Sequence, residues 1–186
     1  MADTGLYVAL AAVLGITGVI AYYVYKYINA ALQFPKDVYN LLKALYNDVA
    51  KALTAVINFF ESVPSWVAGI LSVPYNILLS SLQAVQSQLD NASSYVQGLT
   101  NKTAEELSAM KNEINSTLQS AMASAQGDIQ TIITQAQDAT AALEKAGSAV
   151  GTTVVNSWNG VSSGLGTLGT NIGNGASSIS KWVGGL

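Results

Sequence analysis

The sequence has no cysteine, no histidine and no arginine. Without cysteine there are no disulfides and no thiolate ligands. Without histidine the commonest general base and a leading metal ligand are missing too. No metal and no cofactor is therefore expected. Charge is also scarce, at 10% of residues, against about 25% in an ordinary soluble domain. Eight lysines face eleven carboxylates, for a net charge of -3. That balance offers no basic surface to a phosphate backbone, so nucleic acid is not an expected partner. No Walker loop occurs, and no glycine motif sits in the strand-to-helix setting that a nucleotide-binding loop or a nucleophile elbow requires. Gly164-Leu165-Gly166 lacks the preceding strand of a dinucleotide fingerprint. Neither an enzyme nor a small-molecule substrate is expected. In strong acid the carboxylates protonate and the lysines repel one another; few lysines among abundant Ser, Thr, Asn and Gln tolerate that state well.

What is present is apolar and periodic, and divides into four segments: 1–34, 35–81, 82–145 and 146–186. Leu6 to Tyr25 holds twenty residues without a charge, the length that crosses a hydrocarbon core as a helix. Lys26 closes the run. Tyr22, Tyr23, Tyr25 and Tyr27 crowd its end as interfacial aromatics do. Gly15 and Gly18 offer close approach to another helix. Asp3 before the run and bulky tyrosines after it do not suit a cleaved signal peptide, so a retained transmembrane anchor is expected.

Pro35 sits where a second helix can begin. Val38, Leu41, Leu45, Val49, Ala52, Val56 and Phe59 then mark one apolar helical face. It suits a membrane surface, a partner helix or an ordinary core. From Ser62 to Leu89 no residue is charged, and Pro64 and Pro74 interrupt the run. A second kinked or re-entrant span with Trp66 and Tyr75 at an interface, or a hairpin of short helices bent at the prolines, fits this stretch. Glu61, at its edge, is the one carboxylate in apolar surroundings. It reads either as functional or as reaching a nearby interface.

The two-span alternative makes a topological prediction. Lys26, Lys36, Lys43 and Lys51 would lie in a cytoplasmic loop by the positive-inside rule. The C-terminal half would return to the exterior. There the sequons at Asn91, Asn101 and Asn115 would be available for glycosylation. With a single span, the lysines and the sequons disagree.

Beyond Leu82 the pattern is that of long packed helices. Val85, Leu89, Ala92, Val96 and Leu99 alternate steps of three and four, a short heptad run. A break follows near residues 98–103. Thr103 with Glu106 reads as a capping box. Leu107, Met110, Ile114, Leu118, Met122, Ala125, Ile129, Ile132, Ala136, Ala139 and Leu143 then recur with a mean step of about 3.6, the period of a straight bundle helix. One nearly continuous helix over 104–145, stopped at Lys145 and Gly147, is expected.

The tail holds ten of the sixteen glycines, yet it keeps a helical period through Val150, Val154, Trp158, Val161, Leu165, Leu168, Ile172, Ala176, Ile179 and Trp182. A linker has no reason to do so. An ordered apolar helix is expected, with Trp158 and Trp182 on its buried side. Gly147/Gly151, Gly160/Gly164 and Gly169/Gly173 are small-xxx-small pairs suited to tight packing.

The charge-poor anchor, the Gly/Ser/Thr/Asn-rich apolar tail and the missing Arg, His and Cys together resemble the small membrane-associated virion proteins of viruses infecting thermoacidophilic archaea. The resemblance is one of style along the whole chain, without a motif that assigns a residue a role. It implies an all-α, membrane-anchored structural protein whose partners are the lipid bilayer, copies of itself and other virion or assembly proteins. Two other roles fit the pattern. One is a membrane-perturbing protein acting in fusion, entry or lysis through the Gly-rich tail. The other is a cellular membrane-anchored coiled-coil adaptor. The expected location is a virion envelope or host membrane, with the C-terminal half exterior.

Overall fold

In the computed structural model, which describes the backbone of residues 3–186 and the burial of side chains from Ala11 onward, the chain is 94% helical. Among the described residues there is no strand. Helix α1, Asp3–Ser62, is sixty residues long, about 90 Å of continuous helix. Its two halves differ. Residues 11–30 are all exposed, whereas from Ala31 onward a stripe of Ala31, Phe34, Val38, Leu42, Leu45, Val49, Val56 and Phe59 is buried.

Pro35 does not start a new helix, contrary to the sequence reading; α1 runs through it. An internal proline removes a backbone hydrogen bond and costs about 3 kcal/mol. Here Phe34 and Val38 on either side are sunk in the core, and burial of about 1.5–3 kcal/mol per large side chain offsets that cost.

Helix α2, Ser65–Leu99, follows a tight turn. Pro64 makes the break with ψ of 148°, and its carbonyl accepts the Ala68 amide at 3.0 Å. Pro74, by contrast, lies buried inside α2, so only one of the two prolines breaks the chain. The alternative of a hairpin of short helices bent at both prolines gives way to one long helix. Its core positions are Val67, Leu71, Pro74, Leu78, Leu82, Val85, Leu89, Ala92, Val96 and Leu99. These steps of three and four suit the shallow crossing of bundle helices.

A short helix α3, Ala104–Ala109, leads into α4, Lys111–Ala146. The Thr103 hydroxyl accepts the Glu106 amide at 3.3 Å, and the Glu106 carboxylate accepts the Thr103 amide at 2.7 Å. This is the expected capping box. A local irregularity at Met110 (φ -86°, ψ 2°) separates α3 from α4, but the Ile114 amide still donates to the Met110 carbonyl. Ile114, Leu118, Met122, Ala125, Ile129, Ile132, Ala136, Ala139 and Leu143 are buried, as their spacing predicts. Gly147 ends α4 with φ of +64°, a conformation that favours glycine.

After a 3-10 turn, α5 occupies Thr152–Gly184. The Gly-rich tail is thus ordered helix. It buries Trp158, Leu165, Leu168, Ile172, Ile179 and Val183. Trp182 departs from expectation: it is 36% exposed, and Val183 takes the core position. The packed face rotates along α5, because core positions spaced alternately three and four drift relative to the 3.6-residue turn.

α1 packs on α2 and α5, and α4 packs on the same two helices from the opposite corner. The result is an up-down-up-down four-helix bundle with a core along its full length, from which residues 11–30 of α1 project.

Candidate functional site

The projecting part of α1 is apolar on every side. Val13, Leu14, Ile16, Val19, Ile20, Tyr22, Tyr23, Val24 and Tyr25 are each more than half exposed. Gly15 and Gly18 have open space around them, so nothing among the described residues packs on them. Thr17 turns its hydroxyl onto the Val13 carbonyl at 2.7 Å. Its polar group is therefore satisfied within the helix, a requirement in lipid. Tyr22 and Tyr23 meet edge to face with ring centres 5.7 Å apart.

Two helices are long and apolar enough to cross a membrane by length and composition, α1 and α2. Their surroundings differ. None of the most apolar window of α1 is buried, while 33% of that of α2 is. α2 also packs along α1 and α4.

The base of the bundle lies where α1 leaves it. Tyr27 donates its hydroxyl to the Leu186 carbonyl at 3.0 Å, and Lys111 Nζ donates to the Gly184 carbonyl at 3.2 Å. Between α1 and the end of α5 a notch of about 440 Å³ opens, lined by Lys26, Asn29, Gln33, Asp37, Lys181 and Trp182 among others. Lys36 lines a neighbouring hollow with Gln97 and Thr100. Lys102 follows in the same turn. Five of the eight lysines, Lys26, Lys36, Lys102, Lys111 and Lys181, thus gather at the base. Asp37, Glu105, Glu106 and Glu113 accompany them.

A larger trough of about 540 Å³ runs between α1 and α5, lined by Ala52, Ala55, Gly160, Gly164, Asp48 and Asn171 among others. Gly160 and Gly164 face it with no neighbour a β-carbon would meet, and Gly151 and Gly173 are likewise open. Within the chain, close packing falls instead on Gly169, against Ile129 and Ile133, and on Gly175, against Leu45. Gly147 and Gly151 serve as a helix terminus and an N-cap rather than a packing pair. Gly175 was not singled out by the small-xxx-small spacing; its place between Ile172 and Ile179 on the core face was the signal for it.

At the far end, Trp158 is buried against Phe59 with ring centres 5.1 Å apart, and its indole N–H donates to Thr140 Oγ1 at 2.8 Å. Phe60 stacks on Tyr75 at 3.8 Å. Trp66, Ile70 and Val73 form a short exposed apolar stripe on α2. Glu61 is exposed at the end of α1, so it reaches solvent rather than sitting among apolar groups.

Asn91, Asn101 and Asn115 are all exposed. Asn101 lies in the α2–α3 turn. Asn91 and Asn115 lie within regular helix, and the Ser93 hydroxyl of the first sequon is buried and bonded to the Leu89 carbonyl at 2.7 Å. Lys36, Lys43 and Lys51 belong to the same bundle as these asparagines. The two sets thus share one packed body.

Among the described residues no group of three or more His, Cys, Asp or Glu is placed to hold a metal ion. The buried interface of α2 with α4 is nearly all apolar. Gln88 donates to Asp128 at 2.8 Å, and the Tyr95 hydroxyl is buried without a hydrogen-bond partner. Burial raises the Tyr95 phenol above its ordinary range, against a lowering by the nearby Thr117 hydroxyl and with a smaller raising by the Glu113 carboxylate. These features define a class: an all-α, up-down four-helix bundle carrying a projecting apolar helix. Comparisons with known protein families, characterised proteins and solved structures find no match.

Proposed function

We propose that this chain is a structural membrane protein of a virion or cell-surface assembly, anchored by one span, with its bundle standing on a single side of the bilayer. One observation carries the reading: twenty consecutive exposed residues, 11–30, continue without a break into a helix whose next thirty build a core. As far as Tyr25 that stretch is apolar all round and unpartnered among the described residues, and such a helix has lipid as its natural solvent. Residues 3–25 run about 35 Å, enough for about 30 Å of hydrocarbon.

The lysines at the base favour the cytoplasmic side, or the interior of an enveloped particle, for the bundle. The exterior placement expected from the sequons depends on a second crossing, and α2 is engaged in the bundle instead. The style shared with archaeal virion proteins fits this role, with copies of the chain or a capsid protein as partners. The open glycines on α5 and the exposed stripe at Trp66 suit such contacts. The membrane-perturbing alternative requires α5 to leave the bundle. That would expose six large buried side chains, at about 1.5–3 kcal/mol each.

The natural absence of cysteine makes a direct test simple. Asn47→Cys and Ser163→Cys, both exposed positions, are introduced singly and treated with a membrane-impermeant maleimide in intact and opened vesicles. Both should label from the same side, and Thr4→Cys from the other. Labelling of Asn47→Cys and Ser163→Cys from opposite sides would overturn the single-span reading. Cross-linking in membranes should trap dimers or larger species, and a chain that remains monomeric at all concentrations is not an assembly component.

A further inference from the structure

We propose that the notch at the base of the bundle binds the phosphate of an anionic phospholipid headgroup, so that the protein selects the lipids around its anchor. The inference rests on the anchored reading above. Three independent features meet at this place. The first is position. The notch lies between Lys26 and Asp37 of α1 and the last turn of α5, immediately past the tyrosines that end the apolar helix. A headgroup phosphate occupies that depth when residues 6–25 cross the hydrocarbon.

The second is charge. Lys26 and Lys181 come from helix segments more than 150 residues apart in sequence, yet both line the same hollow. Asp37 on the wall offsets one of them. Lys111 stands beside the hollow, its Nζ on the Gly184 carbonyl. Asn29 and Gln33 add amide donors one helical turn apart. A lysine ammonium binds phosphate as a point charge, and the amides supply direction. The third is Trp182. It is the part-exposed residue that breaks the buried pattern of α5, and it lines the notch. An indole half out of the core suits the headgroup level, where its ring is apolar and its N–H finds an acceptor. The volume of about 440 Å³ accommodates a glycerophosphate group.

The geometry also provides its own reporter. Trp66 opens α2 and Trp158 lies against Phe59, both at the opposite end of the bundle; Trp158 is about 36 Å of helix from Trp182. Only Trp182 is close enough for a lipid at the base to quench. The full chain is reconstituted in nanodiscs of equal phosphatidylglycerol and phosphatidylcholine, with brominated chains on one lipid and then on the other. Brominated phosphatidylglycerol should quench more, corresponding to about fivefold enrichment beside Trp182. The Lys26→Gln/Lys181→Gln double variant should lose the preference, and Lys51→Gln/Lys145→Gln should keep it. Circular dichroism should show both variants equally helical, since all four lysines are exposed.

Equal quenching by the two lipids would overturn the notch and leave the anchor intact. Absence of quenching by either would overturn the anchored reading and the notch with it. A third arm adds inorganic phosphate at constant ionic strength. If phosphate abolishes the preference where chloride does not, the notch takes the free anion and the lipid assignment is wrong.

Discussion

At Gly175 a β-carbon would stand 2.8 Å from Leu45 Cδ1, while at Gly164 it would meet nothing within 4 Å. The two glycines lie on one helix and should respond in opposite ways to the same substitution. Alanine at Gly175 overpacks the α1–α5 seam, with a typical cost of about 1–3 kcal/mol. Alanine at Gly164 removes backbone entropy from the unfolded chain and stabilises the isolated protein by about 0.5–1 kcal/mol. Thermal or denaturant unfolding in detergent measures both. If Gly164→Ala instead weakens cross-linking between copies while raising the melting temperature, the trough along α5 holds a neighbouring helix. A destabilised Gly164→Ala monomer would contradict the open geometry.

The elements are held mostly by core burial, and α3 is where local chemistry matters most. Its capping box joins Thr103 and Glu106 reciprocally. The hydrogen bonds from Thr103, and less strongly Lys102 beside it, hold the Glu106 carboxyl below its ordinary value. A carboxylate with a depressed folded pKa stabilises the fold above its unfolded pKa. That contribution is lost as pH falls through the folded value. Thr103→Ala should therefore cost about 1 kcal/mol at neutral pH. The difference from the parent should shrink in acid, as Glu106 protonates in both proteins. Melting curves at pH 7 and pH 2.5 test this, and a difference that grows toward acid would refute it. At α5, glycine content disfavours a helix in water, and only the cleft offered by α1 and α4 makes the segment a helix.

On the scale of the molecule, ionic interactions are few. Among the described residues two ion pairs occur, Lys51 with Asp48 at 3.4 Å and Lys102 with Glu106 at 3.6 Å, and both are at the surface. Such pairs contribute little. The core is apolar from Ala31 to Leu186, with only Ser81 and Ser93 as buried polar residues. Protonating every carboxylate thus removes little that holds the helices together, and the repulsion left among the lysines, five of which gather at the base, falls on groups in contact with solvent rather than on the core. We expect helical ellipticity to persist at pH 2, with a fall in melting temperature of no more than about 10 °C. Loss of ellipticity between pH 5 and 3 would show that carboxylates carry more of the fold than their exposure indicates.

Periodicity made the helices legible in advance. The buried faces of α2 and α4, the capping box and the stop at Gly147 follow from spacing and from residue chemistry that acts within a few positions. The charge-free run before Lys26 was equally plain. Three features were not legible because they depend on groups distant in sequence. Pro35 and Pro74 signal breaks locally, but burial against other helices holds each within a continuous helix. Trp182 fits the apolar period of α5, but the drift of the packed face turns it to the notch and sends Val183 inward. The second candidate span looks like α1 by hydropathy, and only the neighbours of α2 distinguish it. Helix period and hydropathy are local properties, so an all-helical chain with an apolar N-terminal run follows from residue order. That the lysines and sequons share one body, which glycines pack, and that Lys26 and Lys181 line one hollow are relations between helices, and they arise only when the helices pack.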